Sequence, residues 1–415
     1  MCRPAALSAW TAELESVFPH LSRPQVKVLA EYSHGMILAG KCGLSSVAAA
    51  LGGWLGESSS TVRERLRDFY CDGVDKSGKH RRSLEIQSCF APLLKWVLSD
   101  WQSDQLAIAL DATTLGQRFV VLAISIVYRS GAIPVAWVVL PAVGKGQWRP
   151  CWIELLRCFK QTVPPHLRVI ALADRGLYAK WLFKEIVDLG WHPFLRINAG
   201  GNEFTPEGTK EAIPLNAIDG GGKDYVCRGT LFKSKKARLG CTLAVRHDPA
   251  YTDGWYVVSD LPPEQMNIAC YGLRCWIEPS FKHHKSGGWN WQKTRMTRAA
   301  RAGRAWLVMA VADVLLMRQA AIETPIHALT THKPAQPQKH STQAAASPPE
   351  PSSQPPAQKH HRRRKRTLSV FCLSLITVQM TLLSNKPLPH GQFNPEPWPS
   401  NAFPIQLYAA AVQPP

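Results

Sequence analysis

Apolar and polar residues follow two different patterns along the chain, and each pattern predicts a different arrangement of secondary structure. In the first 70 residues apolar side chains recur at helical spacing, as in VKVLAEYSHGMILAG and SSVAAALGGWLG. From residue 105 the apolar runs become short and β-rich, and two helical segments, WIELLRCFKQTV and AKWLFKEIVDLG, alternate with them. This order of strand, hairpin, helix, strand, helix and strand predicts an α/β fold with a mixed sheet.

The helical start has the pattern of a helix-turn-helix over about residues 25–70. A Ser/Thr run ends at Thr61, and Glu64 follows three residues later, which is a capping-box pattern opening the segment TVRERLRDFY. A DNA-reading helix carries its contacts near its start. The candidate contacts are therefore Arg63, Arg65 and Arg67. An ordinary amphipathic helix with solvated arginines is the alternative interpretation.

Shifts in composition divide the chain into regions. A Gly-rich stretch with three strand-like runs predicts a β insertion, and a final stretch dominated by Pro, Gln, Ser, Ala and His is typical of disorder. We predict five regions, in chain order: a helical N-terminal DNA-binding domain (1–103), the first part of an α/β core (104–198), a β insertion (199–270), the last part of the core (271–323) and a Pro-rich basic tail, mostly disordered (324–415).

The charge is strongly positive, with 49 Lys and Arg against 30 Asp and Glu and a formal net charge of +19 at pH 7. The excess lies in residues 104–198, 271–323 and 324–366, whereas the β insertion is nearly neutral. A polyanion such as nucleic acid is therefore the expected partner.

Residues 367–383 raise the question of a membrane. This segment, TLSVFCLSLITVQMTLL, has no charge but is short for a transmembrane helix, although the basic run before it would suit an inside flank. We favour a loosely attached apolar segment or a partner-binding strand, with a membrane anchor as the alternative. The 11 cysteines, without a C-x-x-C pair, and a start without a signal-peptide pattern predict a location in the cytoplasm.

Two aspartates are the first candidates for chemistry. Asp111 in ALDATT and Asp174 in ALADRG each end a buried strand, and ligands of α/β sheets bind at the carboxyl ends of strands. A buried carboxylate needs a cation, a donor or a metal as its partner. A helix cap or a turn acid explains one such residue, but two in successive sheet units weaken that explanation.

The most specific signal surrounds a third acid, Glu278. Residues three, four and seven apart share one face of a helix, and here that face carries one acid among three bases and a phenol. The members of this stripe are Tyr271, Arg274, Glu278, Lys282 and Lys285. A salt-bridged, solvated helix face is the alternative, but the nearby tryptophans favour a phosphodiester ligand.

At these motifs the sequence resembles the DDE transposases of the IS4 type, including the related IS701-like group. The resemblance covers about residues 25–320, and its carriers are ALDATT, ALADRGLY and YGLRCWIEPSFKHHK. The last segment matches the Y-R-E-K signature of that family at all four positions. The resemblance implies an RNase H-like catalytic core that is interrupted by a β insertion before the last catalytic acid.

The resemblance also assigns roles to residues. The metal-binding catalytic triad would be Asp111, Asp174 and Glu278. The DNA-binding residues would be Arg274 and Lys285, with Tyr271 beside them, Lys282 at a matching basic position, and Trp255 as the positional match for a Trp that stacks on a flipped base.

The implied activity is metal-dependent cleavage at the ends of an insertion sequence, followed by transfer of the 3′-OH ends into target DNA. Three converging carboxylates repel one another unless cations lie between them, so we expect two Mg²⁺ ions, with Mn²⁺ as a substitute. The expected partners are terminal inverted repeats and target DNA, bound by a homodimer. The alternatives are a transposase-derived DNA-binding protein without catalysis and an RNase H-like nuclease.

Overall fold

One mixed sheet of eleven strands organises the molecule. The structure, a computed structural model, describes residues 4–76, 81–142, 148–219, 222–247, 253–323, 368–388, 390–399 and 406–407. The strands of the sheet are β1 (Gln105–Leu115), β2 (Phe119–Tyr128), β3 (Gly131–Pro141), β4 (Arg168–Ala173), β5 (His192–Arg196), β6 (Glu203–Pro206), β7 (Ile213–Pro214), β8 (Tyr225–Leu231), β9 (Leu239–Arg246), β10 (Trp255–Ser259) and β11 (Gln406–Leu407). Their order is β3-β2-β1-β4-β5-β10-β9-β8-β6-β7, and β11 pairs with β8.

Helices precede, interrupt and follow these strands. They are α1 (Ala5–Val17), α2 (Arg23–Ala39), α3 (Leu44–Leu55), α4 (Ser59–Tyr70), α5 (Phe90–Ser99), α6 (Trp148–Arg157), α7 (Lys180–Asp188), α8 (Ile277–Lys282), α9 (Ala299–Glu323) and α10 (Val370–Leu383). The first five form the helical N-terminal part that the sequence predicts.

The first five strands form the α/β core that the sequence predicts. Strands β1, β2 and β3 are antiparallel neighbours, and β4 and β5 run parallel to β1 on its other side. Every residue of β2 is buried, because helices cover this part of the sheet: α5, α6 and α9 pack against β3, and α7 packs against β5. The predicted α/β fold class is therefore confirmed.

The β-rich insertion before Glu278 continues the core sheet. Strand β10 pairs antiparallel with β5, with Val258 opposite Leu195, and β9 and β8 follow outward. Gly229 is required where β8 meets β6, because a Cβ there would clash with the Thr205 carbonyl oxygen. The insertion is thus built onto the edge of β5, next to the last part of the core.

An arginine-rich contact joins α9 to the N-terminal helices. Arg298 and Arg301 both pair with Asp72 and Asp75, and the buried Arg304 donates to Asp72 over 2.7 Å. Arg304 also donates to the carbonyl oxygens of Tyr70 and Leu84. These bonds fix the N-terminal helices to the core.

The tail differs from its prediction of disorder where the structure describes it. Helix α10 packs on α9 and α2, because Phe371, Ser374, Val378 and Leu382 recur at helical spacing and are buried. Ser369 caps the helix by accepting from the Cys372 amide. The prediction of a loose segment or a strand is therefore wrong. Residues 324–367, including the basic run at 360–366, lie outside the described residues.

Beyond α10 the chain crosses the core. Phe393 bridges to Trp101, and the Phe393 amide donates to the Asp100 carbonyl oxygen over 2.8 Å. The Asn267 side chain donates to the carbonyl oxygen of Pro399. The C-terminal segment therefore contacts both halves of the core.

Among the described residues, no single helix is long and apolar enough to cross a membrane. Helices α2 and α3, which meet at an angle of 97°, have that length and composition only when they are taken together.

Candidate active site

Asp111 and Asp174 lie side by side where the parallel pairing of β1 with β4 ends. The prediction that each acid ends a strand holds for Asp174, which follows the last residue of β4, but is wrong for Asp111, because β1 continues past it to Leu115 in its pairing with β2. Strands β1 and β4 pair with Leu110 opposite Ala173, so the next residue of each chain segment is an aspartate. The apolar runs before them are buried and hold both strands in this register. The structure therefore places the two predicted acids at one edge of the sheet.

The backbone after β4 holds the Asp174 carboxylate. Asp174 Oδ1 accepts from the amides of Gly176 at 2.9 Å and Leu177 at 3.2 Å. A Cβ at Gly176 would lie 3.2 Å from the same oxygen, so a larger residue would crowd the carboxylate. The ADRG turn (173–176) therefore gives the Asp174 carboxylate backbone donors and leaves space for it at Gly176.

Glu278 lies on a segment made of three kinds of helix. A 3₁₀ helix, Ile268–Trp276, leads into α8, and a π-helix, His283–Gly287, follows. Ser280 anchors α8 to the core by accepting from the Ala132 amide of β3 over 2.6 Å. The predicted single α-helical stripe is thus divided: Tyr271 is buried, whereas Glu278 is 59% exposed.

Arg274 bridges two of the three acids. Its Nη1 donates to Asp111 Oδ2 over 3.2 Å and its Nη2 donates to Glu278 Oε1 over 2.7 Å. Across the residues that the structure describes, no group of three His, Cys, Asp or Glu side chains is arranged to hold a metal ion. The guanidinium therefore provides the positive charge between Asp111 and Glu278 in this conformation.

Asp111 has a strongly perturbed pKa. Burial raises the pKa of this carboxyl from 3.8 to about 6; Arg274 and the Ala112 amide oppose the rise, and the charges of Asp174 and Glu278 add to it. A carboxylate that is penalised by burial and by like charges gains most from an added cation.

Two lysines share an open pocket with the acids. The pocket has a volume of about 600 Å³ and is lined by Asp111, Glu278, Lys282 and Lys285. In the described part of the chain neither lysine has an acidic side chain within ion-pair distance. Their ammonium groups are therefore available to an anionic ligand that enters beside the carboxylates.

Tyr271 and Trp255 pack against each other. Their rings meet edge to face with centroids 5.2 Å apart. Tyr271 is 2% exposed, its hydroxyl has no hydrogen-bond partner among the described atoms, and burial raises its pKa to about 12. The structure thus brings the two predicted aromatic residues together, with the phenol turned inward.

The three N-terminal arginines have different surroundings. Arg65 pairs with the buried Glu31 over 2.7 Å and with Glu57 over 2.8 Å. Arg63 and Arg67 remain largely exposed and both contact Glu64. Arg65 therefore stabilises the packing of α4 against α2, and only the other two point to solvent.

The predicted capping box of α4 is wrong in detail. The helix begins earlier than the sequence pattern indicates, because Ser58 accepts from the Thr61 amide over 3.2 Å and is the N-cap. Glu64 is engaged by arginines instead of the helix start.

A buried polar cluster that the sequence reading missed supports the π-helix. His284 Nε2 lies 2.5 Å from Asp313 Oδ2, and the indole N–H of Trp289 donates to Asp313 Oδ1 over 2.9 Å. The available signal was Asp313 itself, an acid within the apolar helix AWLVMAVADVLLM, since a buried acid requires partners. The cluster fixes the segment that carries Lys285.

Comparisons with known proteins identify the family of the chain. No curated protein matches the chain significantly. Among solved structures, the cryo-EM structure of a piggyBac transposase synaptic complex with hairpin DNA is similar at 12% identity and a TM-score of 0.32, over 75% of this chain and 71% of that one. The profile of the family described as Transposase DDE domain matches residues 102–315, more than half of the chain. The chain therefore belongs to the DDE transposase family.

Proposed function

We propose that this chain is a DNA transposase of the IS4 type, which cleaves phosphodiester bonds at the ends of a mobile element and joins the 3′-OH ends to target DNA. The observation that carries the proposal is that Asp111 is adjacent to Asp174 on neighbouring strands and is linked through Arg274 to Glu278, at a pocket that is also lined by Lys282 and Lys285. The spacing of Tyr271, Arg274, Glu278 and Lys285 supports the IS4 type.

The three carboxylates have the donor chemistry that a divalent cation needs. They offer hard oxygen donors, which Mg²⁺ and Mn²⁺ prefer, and the pKa of Asp111 is raised first by burial and then, to a smaller extent, by the charges of Asp174 and Glu278. Asp111, Asp174 and Glu278 would hold two Mg²⁺ ions, with Mn²⁺ as a substitute, once Arg274 releases the first and third of them. The ions would supply activation of the attacking hydroxyl and charge neutralisation at the phosphate.

The other residues would bind and orient the DNA. Lys282 and Lys285 neutralise phosphate oxygens at the mouth of the pocket, and Arg274 exchanges a carboxylate partner for a phosphate. Trp255 offers an aromatic face beside Tyr271, which supports contact with an unpaired base.

Carboxamide variants test the catalytic assignment. In Asp111→Asn, Asp174→Asn and Glu278→Gln the negative charge is lost while the shape is kept, so cleavage should fall by a factor on the order of 10³ or more. The substrates are labelled duplexes made from the DNA that flanks the coding sequence on each side, incubated with Mg²⁺ or Mn²⁺. DNA affinity, measured by fluorescence anisotropy in Ca²⁺, should change little.

The outcomes separate the alternatives. Undiminished cleavage by any one of the pure carboxamide variants contradicts the assigned triad. Cleavage by the unmodified chain without joining of a 3′-OH end to a plasmid identifies a nuclease, and tight binding without cleavage identifies a transposase-derived DNA-binding protein. The predicted homodimer is tested on the same duplexes by the mass of the complex in light scattering.

A further inference from the structure

A second groove lies between the N-terminal helices and the chain that follows the π-helix. It has a volume of about 490 Å³, and one wall is the segment 290–298 while the other includes α4 and the start of α3. Its cationic lining residues are Arg63, Lys293, Arg295, Arg298 and Arg301, and none of its lining residues that the structure describes is acidic. The groove is therefore a region of concentrated positive charge outside the carboxylate site.

The five cations of this groove fall into two groups. Three have acidic partners: Arg298 and Arg301 pair with Asp72 and Asp75, and Arg63 contacts the neighbouring Glu64. Lys293 and Arg295 are exposed and, over the described ranges, have no acidic partner. These two are available to a ligand.

The start of α3 adds hydrogen-bond donors to the same groove. Gly43 and the first residues of α3, Leu44, Ser45 and Ser46, line it, and this helix start has neither a side-chain cap nor an acid in its first turn. The first amides of a helix lack partners within the helix and favour anions such as phosphate. These donors face the same space as the unpaired cations.

The groove and the carboxylate pocket share one segment of chain. Gln292 lines the carboxylate pocket, and the next residues, from Lys293 onward, line the groove. Arg118, in the β1–β2 turn, holds this segment by donating to the carbonyl oxygens of Gln292 and Thr294. Lys285 therefore lines the pocket that contains Gln292, and Arg295 lines the groove that begins at the next residues of the same segment.

We propose that this groove binds the phosphate backbone of duplex DNA that continues away from the cleavage site. The inference rests on the proposed function, since it requires DNA in the carboxylate pocket. The ligand is a row of phosphates and not a free anion, because two successive sites would each take phosphates. Lys282 and Lys285 line the first site, and Lys293 and Arg295, which follow Gln292 of that site in the chain, line the second.

A charge-matched pair of variants tests the groove. Lys293→Ala/Arg295→Ala removes its two unpaired cations, and Arg157→Ala/Lys160→Ala removes one Lys and one Arg from an exposed surface that lines neither pocket. The probe is a fluorescein-labelled duplex of arbitrary sequence, titrated at several salt concentrations. Thermal unfolding midpoints confirm that both variants are folded.

The groove variant should raise Kd by about tenfold or more at physiological salt and reduce the salt slope of log K by about 2, because each phosphate contact releases counterions. The control should keep the Kd of the unmodified chain within about twofold. Inorganic phosphate should compete no better than chloride at equal ionic strength.

A groove variant that matches the control in Kd and salt slope overturns the proposal. Effective competition by inorganic phosphate also overturns it, in favour of a site for a small anion. The binding measurement does not require catalysis. Absence of metal-dependent cleavage by the unmodified chain would therefore contradict the proposed function without changing the result on the groove.

Discussion

Two clusters in this molecule are built from the same chemistry, arginine bridging two carboxylates, and they behave in opposite ways. In the first, Arg274 joins Asp111 to Glu278; in the second, Arg298 and Arg301 join Asp72 to Asp75. The pKa of Asp111 is raised to about 6, whereas a hydrogen bond from Arg304 lowers the pKa of Asp72 to about 2.

Burial and the ratio of charges together explain the difference. The buried Asp111 carries the cost of desolvation, and its cluster also gathers three acids around one arginine. The second gathers three arginines around two acids. An arginine–carboxylate pair alone therefore does not show whether a cluster is structural or functional. The surrounding charges must be counted, because a cluster with excess negative charge favours cation binding and one with excess positive charge favours a rigid structural contact.

The largest expected contrast concerns stability. Arg304→Ala should lower the free energy of unfolding by about 3–5 kcal/mol, because it leaves buried carbonyl groups and Asp72 without their donor. Arg274→Ala should cost less than about 1.5 kcal/mol, since Asp111 can take up a proton when its cation is lost. Urea denaturation at pH 7 measures both, and equal losses would break the comparison.

The second contrast is in the sign of the contribution that each ionised carboxylate makes to the free energy of unfolding. Ionised Asp111 destabilises the fold, and this cost grows as the pH rises from about 4 to about 6 and then stays constant. Asp111→Asn should therefore raise the free energy of unfolding by up to about 3 kcal/mol above pH 6, with little gain near pH 4.

Asp72→Asn should instead lower the free energy of unfolding. Ionised Asp72 stabilises the fold above about pH 4, and that contribution is lost as the pH falls towards about 2. The expected loss at pH 7 is about 1 kcal/mol, because solvent screens this more open cluster. Denaturation curves of both variants from pH 4 to pH 8 measure the pair, and a destabilised Asp111→Asn would refute the account given for the first cluster.

The smallest expected effect is the change in thermal stability when Mg²⁺ is added, which should distinguish the two clusters. Millimolar Mg²⁺ should raise the thermal midpoint of the unmodified chain by about 1–3 °C, because a ligand of the folded state alone adds roughly 1 kcal/mol at several times its Kd. Asp111→Asn should lose the shift and Asp72→Asn should keep it, as measured by differential scanning fluorimetry. A shift that survives in Asp111→Asn would place the cation elsewhere.

Local patterns in the sequence predict the core and the acids well. The apolar runs that end at Asp111 and Asp174 specify buried strands, and strand direction then places both acids at one edge of the sheet. The β insertion was recognisable by composition, but its attachment to β5 depends on pairing between residues distant in sequence, such as Val258 and Leu195.

The same limit applies to the arginines. Helical spacing places Arg63, Arg65 and Arg67 on one helix, yet only the fold reveals that Glu31 of α2 meets the middle one. For the tail, Pro-rich composition and a basic run favoured disorder, and the buried stripe of α10 depends on a partner surface that no local pattern describes.

The docking of α10 also sets an order of events during synthesis. The Phe371 ring stacks on His283 at 4.5 Å, and Gly288 leaves room for it, since a Cβ there would lie 2.4 Å from that ring. These contacts join residues far apart in sequence, and such contacts form late in folding. The π-helix that carries Lys285 is therefore translated well before the helix that packs on it, and a nascent chain can form the contact between His283 and Phe371 only after residue 371 has been translated.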